Sequence, residues 1–159
     1  MTADLLPPWQ RPDIIRQTQR LLHSFQHWTH RPLLPAIAED PVQAAEQVFM
    51  APVVLVSHGT QADPILNYGN QMALKLWDLD WERFTQMPSR LTAEPLERRD
   101  RERLLQQARE KGYIDNYEGV RITSRGQRFR ITNVILWGVL DEQGTLQGQA
   151  ATFTDWEML

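Results

Sequence analysis

Two histidines have a spacing that can do chemistry: His23 and His27 lie four residues apart on one helical face, where paired imidazoles can hold a metal. No carboxylate accompanies them at metal-site spacing, and both flank the apolar side of an amphipathic segment, which makes them boundary residues. His58 stands apart. It ends an apolar, β-branched run beside Gly59, where an imidazole can contact a ligand. Asp115 and Glu118, on either side of Tyr117, are the acid/base candidates, but strand alternation sends the two carboxylates to opposite faces. The chain contains no cysteine, which removes disulfide, iron–sulfur, thiolate-zinc and thiol-nucleophile chemistry. It carries no G-x-S-x-G elbow, Walker loop, dinucleotide glycine fingerprint or H-E-x-x-H pair. The expectation is a protein without catalytic residues and without a metal.

The elements that must position these residues follow from period and punctuation. Pro12 opens a helix through Thr29, with Ile14, Leu21, Leu22, Phe25 and Trp28 on its apolar stripe. Asp40 caps a second helix that ends at Pro52. Val53 to Ser57 and Ile65 to Tyr68 are short strands bounded by turns. Helices follow over Asn70 to Trp77, a short turn at Trp81 and Phe84, and a long segment from Ala93 to Lys111 capped by Thr92 and closed by Gly112. Along that last helix Glu94–Arg98 and Glu97–Arg101 stand as i,i+4 ion pairs on a solvated face. Gln127 to Trp137 alternates with period two, and Leu146 to Trp156 closes the sheet. Alternation places Phe129, Ile131, Asn133 and Ile135 on an inner face, and Val134, Leu136, Ala151 and Phe153 on an outer one. Met1 to Arg11 reads as a loose arm.

Composition bounds the rest. At 159 residues with 42% hydrophobic content the chain can bury a sizeable core as one domain, here divided into a helical extension (1–47) and a main domain (48–159). A net charge of −3 lacks the basic excess that nucleic acid demands. No segment approaches the ~20 apolar residues of a membrane span, and the first ten residues lack the pattern of a signal peptide. The expected location is the cytoplasm.

Several words of this sequence, in their order, resemble the MEKHLA family. They are Asn70 to Trp77, Pro88-Ser89-Arg90, Thr92-Ala93-Glu94-Pro95 and the arginines from Arg98 to Arg103. Gly112, Tyr117 to Ile122, Gly126, Arg128-Phe129, Trp137, Asp141, Gly144 and Gly148 to Ala151 continue the match, which spans about Val48 to Trp156. The family occurs as small stand-alone bacterial proteins, cyanobacterial ones among them, and at the C-terminus of plant class III homeodomain–leucine zipper factors. The resemblance implies a PAS-like fold and a sensing or regulatory role, and it brings no catalytic residues. This chain has no homeodomain or zipper, so a DNA-regulatory role does not carry over.

On that basis the expected architecture is α+β: a five-stranded antiparallel sheet with helices on one face and an N-terminal helical extension. Polar groups that interrupt apolar surroundings, namely Asn70, Arg90, Tyr117, Arg121, Asn133 and Gln149, are the candidate ligand contacts, with Trp77 as cavity lining. Arg90 and Arg121 suit an anionic ligand, because a guanidinium grips a carboxylate with two parallel bonds. A flavin–cysteine adduct is excluded, and haem lacks a pocket-facing histidine, His58 being the weak exception; the cofactor stays unknown. The N-terminal stripe and the outer-face set Val134, Leu136 and Phe153 are expected to bury one another, within the chain or across the two-fold axis of a homodimer. Two other classes stay open. One is a small cone-shaped α+β enzyme with an acid/base pocket, disfavoured by the two short strands before the main helices. The other is a ligand-free scaffold whose cavity is filled by its own tryptophans.

Overall fold

Pro12 has no N–H to lose in a first helical turn, and α1 (Pro12–Thr29) begins there, ending where His30 turns left-handed at φ 59°. Asp40 caps α2 (Pro41–Met50), its carboxylate accepting from the Gln43 N–H at 3.1 Å. The chain then runs through β1 (Val54–His58), β2 (Leu66–Gly69), α3 (Gln71–Trp77) and α4 (Trp81–Phe84). After a 3-10 turn at Ser89–Thr92 come α5 (Pro95–Lys111), β3 (Tyr113–Ile122), β4 (Arg128–Leu140), β5 (Leu146–Phe153) and β6 (Asp155–Met158). This computed structural model describes residues 6–159, so the first five residues of the expected arm lie outside the described residues.

The strands pair antiparallel in the order β2-β1-β5-β4-β3, and β6 prolongs β5 beyond Thr154 to pair with the start of β4. Five strand lines therefore make the sheet. Helices cover both of its faces. α3 and α5 lie over a core of Trp77, Phe84, Leu105, Phe129, Val134 and Phe153. α1 and α2 lie over a second core of Leu21, Phe25, Val48, Leu55, Trp137 and Val139.

The assignment of faces differs from strict alternation, and the cause is local. Asn133 adopts φ 53°, and the pairing with β3 shifts register between Tyr117 and Gly119, opposite the stretch from Ile131 to Val134. A bulge inserts one residue and flips all that follows. Phe129 and Ile131 therefore share the inner face with Val134 and Leu136, while Ile135 turns outward with Trp137. The break at Thr154 makes the same correction on the neighbouring strand, keeping Phe153 and Trp156 on one side. So Val134, Leu136 and Phe153, expected as an outer interface, are buried under α3 and α5.

The apolar stripe of α1, expected to be covered within the chain or across a dimer axis, is covered from within the chain. Ile14, Leu21 and Phe25 are buried against the sheet, with Leu22 and Trp28 packed beside them. Burying one such aliphatic side chain is worth about 1.5–3 kcal/mol, and intramolecular packing captures it for the whole stripe. The arm is anchored as well: Trp9 stacks against Phe49 at 4.8 Å, and Arg11 pairs with Glu82 at 3.2 Å. On α5 the N-cap is Glu94 rather than Thr92, whose hydroxyl instead donates to Ser89 O at 2.8 Å. No helix among the described residues is long and apolar enough to cross a membrane.

Candidate functional site

Between the inner sheet face and α5 the structure leaves a cavity of about 50 Å³. Leu66, Trp77, Leu105, Val134, Leu136 and Phe153 form its apolar walls. Its polar wall is made by His58 from β1, Arg101 from α5, Tyr117 and Arg121 from β3, and Gln149 from β5. No Asp or Glu among the described residues lines it.

Tyr117 and Arg121 stand on the same side of β3, and the Arg121 guanidinium donates to the Tyr117 hydroxyl while lying 5.4 Å from its ring centre. The room between them comes from Gly119, where an added Cβ would lie 2.7 Å from the tyrosine oxygen. Arg121 is only 7% exposed, and its other bond goes to Val120 O at 2.8 Å. Arg101 donates to Ser89 Oγ at 2.9 Å. Among the described residues neither arginine has a carboxylate partner. Burial, and then the neighbouring Arg121 charge, lower the Arg101 pKa to about 10.

His58 is buried at the end of β1, its Nδ1 lying 2.9 Å from Gly59 O. A carbonyl can only accept, so Nδ1 carries the proton and Nε2 is left as a lone pair. That Nε2 has no partner, and neither does the Trp77 indole N–H. Burial above all, with Arg101 and Arg109 adding to it, lowers the His58 pKa to about 4. Gln149 spans the wall, donating to Leu105 O at 2.9 Å.

The candidates named from sequence divide accordingly. Trp77, Tyr117, Arg121 and Gln149 come together at the cavity. Asn70 does not join them. Its Oδ1 accepts from the Leu55 and Ala73 N–H groups at 3.1 and 3.2 Å, and its Nδ2 donates to Val53 O at 2.8 Å. It caps α3 and ties it to β1. Arg90 lies at the surface, paired with Asp63 at 3.2 Å. Asn133 is the exposed bulge residue, 3.4 Å from Asp155. Asp115 and Glu118 are both exposed, so no acid/base cluster forms around Tyr117. His23 and His27 are exposed too, and no group of three metal-ligating side chains occurs among the described residues.

Sequence reasoning passed over Arg101 and undervalued His58. Both had a signal. Arg101, Leu105 and Ala108 fall at i, i+4, i+7, and the latter two are buried. His58 continues the alternation of Val54 and Val56 toward the inner face. The expected Glu97–Arg101 pair does not form because Arg101 turns inward, while Glu94 pairs with Arg128 at 2.7 Å.

Sheet order, flanking helices and a cavity beneath α5 define a PAS-type domain. A PAS domain of a protein from Colwellia psychrerythraea superposes with a TM-score of 0.62 at 14% identity, covering 74% of this chain and 94% of that one. The fungal blue-light photoreceptor Vivid, solved as its light-state dimer, gives 0.57 at 14% identity over 88% and 92% of the two chains. A light-oxygen-voltage domain studied with a flavin analogue gives 0.57 at 13% identity over 76% and 86%. The MEKHLA domain profile matches residues 15–158, so the chain belongs to the MEKHLA domain family. That match begins inside α1 and takes in both N-terminal helices. No curated protein matches the sequence.

A flavin does not fit these residues. The cavity of about 50 Å³ has room for a few waters, far less than three fused rings, and no cysteine is present to form an adduct. Haem fails on the same volume, although His58 Nε2 has the chemistry of an axial ligand.

Proposed function

We propose that this chain is a non-enzymatic sensory or regulatory module of the cytoplasm that binds a small molecule between its sheet and α5. One observation carries the proposal. Two guanidiniums line a cavity that offers them no carboxylate, and on two more of its lining residues the His58 Nε2 and the Trp77 indole N–H have no hydrogen-bond partner among the described residues. Buried polar groups are normally paired, and a buried charge is strongly disfavoured unless compensated. A ligand is the simplest compensation. Among the described residues no carboxylate lines the cavity with His58 and Tyr117 to form an acid/base pair, which favours binding over turnover.

Occupancy has a physical route outward. Along β4, Val134 and Leu136 wall the cavity while the alternate residue Trp137 packs beneath α1, its indole donating to Ser24 Oγ at 3.1 Å. A ligand that moves β4 therefore also moves the seat of α1. The test is native mass spectrometry of the chain purified from its own host. The expected result is a non-covalent added mass that is lost on denaturation. A bare-chain mass, with no change in thermal unfolding when a metabolite extract is added back, would contradict the proposal.

A further inference from the structure

Resting on that proposed function, the chemistry of the cavity narrows the ligand to one class. The arginine side of the wall offers charged donors: Arg101 spends one bond on Ser89 and Arg121 two, on Val120 and Tyr117, out of five N–H groups each. With no acid in the lining, the site lacks a negative group that both arginines can share. The histidine side offers the opposite, a lone pair on Nε2 that needs a donor. The remaining surface is aliphatic and aromatic, and the volume admits only a few non-hydrogen atoms.

We propose that the cavity binds a short hydroxy acid, its carboxylate held by Arg101 and Arg121, its hydroxyl donating to His58 Nε2, and its alkyl part against Leu136 and Phe153. A plain carboxylate leaves His58 unpaired. A neutral amide leaves the two cations uncompensated. An amino acid supplies a donor, but its ammonium adds a third positive charge to a wall that has no acid. Inorganic phosphate matches the arginines and leaves the apolar wall uncovered.

Isothermal titration of the whole chain with lactate, propanoate, lactamide, alanine and inorganic phosphate separates these cases. Lactate is expected to bind most tightly. Propanoate should be about tenfold weaker, the usual penalty for one unpaired buried polar group. Lactamide, alanine and phosphate should be weaker still. Arg101→Gln should abolish lactate binding, and His58→Leu, which removes the acceptor, should equalise lactate and propanoate, with circular dichroism confirming that each variant is folded. Lactamide, alanine, propanoate or phosphate binding as well as lactate would overturn the hydroxy-acid assignment. So would lactate binding that survives Arg101→Gln. If no probe binds but a neutral molecule is retained by the protein from its host, the assignment fails and the sensory function stands. If no probe binds and nothing is retained, both fail.

Discussion

On the outer face of the sheet, the indoles at the α1 contact are satisfied: Trp137 Nε1 donates to Ser24 Oγ at 3.1 Å and Trp28 Nε1, from α1 itself, to Gly138 O at 2.9 Å. Among the described residues the buried Tyr68 hydroxyl, beside Thr18, also lacks a hydrogen-bond partner on that face. On the inner face, Trp77 Nε1 and His58 Nε2 are both unpaired, and two guanidiniums share an enclosed space. The same sheet therefore supports a closed core on one side and an unfinished one on the other. The outer face leaves one hydroxyl unpaired, whereas the inner face leaves two nitrogens unpaired and adds two guanidiniums without a carboxylate. On the proposed function, the outer layer supplies stability and the inner one would recognise the ligand.

Substitutions can break that division, and the largest effect belongs to the outer layer. Trp137 is fully buried, edge-on to Phe25 at 4.9 Å. Trp137→Ala should lower the unfolding free energy by about 3–5 kcal/mol, measured by urea denaturation. A loss below about 1 kcal/mol would mean that α1 is not part of the cooperative core.

Acid should act next, through the inner face. The His58 pKa falls from 6.5 to about 4 on folding. Between those values the unfolded chain binds a proton that the folded chain refuses, so stability falls as pH drops. The loss should total roughly 3 kcal/mol between pH 6.5 and pH 4, superimposed on the carboxylate titrations. In His58→Leu the slope of stability against pH should flatten through that window. An unchanged slope would show that the imidazole is reached by water.

Asn70→Ala comes close behind, at about 2–3 kcal/mol. It removes the α3 cap and unpairs buried backbone groups on β1. Because Asn70 braces the fold without lining the cavity, ligand affinity in the folded variant should stay within about twofold in a titration with lactate.

These residues also mark what a linear sequence can disclose. Helix starts at Pro12 and Asp40 depend on neighbours a few positions away, and they were legible. So was the five-stranded sheet, because turns and period-two runs are local. The face of Val134 was not. One left-handed residue, Asn133, reverses the alternation, and although asparagine favours that conformation, a single one inside a period-two run does not by itself announce a bulge. Arg90 and Arg101 show the same limit at the site. Both lie in family-like words, but Arg90 sits in the 3-10 turn and pairs with Asp63 at the surface, while the turn of α5 carries Arg101 inward. Asn70 looked like a ligand contact because a buried polar residue has the same sequence signature whether it serves a ligand or the backbone.

Arg101→Met separates the two faces most directly. If the guanidinium is held for an anion from outside the chain, replacing it with an apolar side chain of similar length removes an uncompensated, half-buried charge. Urea denaturation of the ligand-free protein should then show a variant as stable as the wild type or more stable by up to about 1 kcal/mol, and this variant should no longer bind lactate. A loss of more than about 2 kcal/mol would contradict the account, because Arg101 would then be a structural partner within a core that folding alone completes.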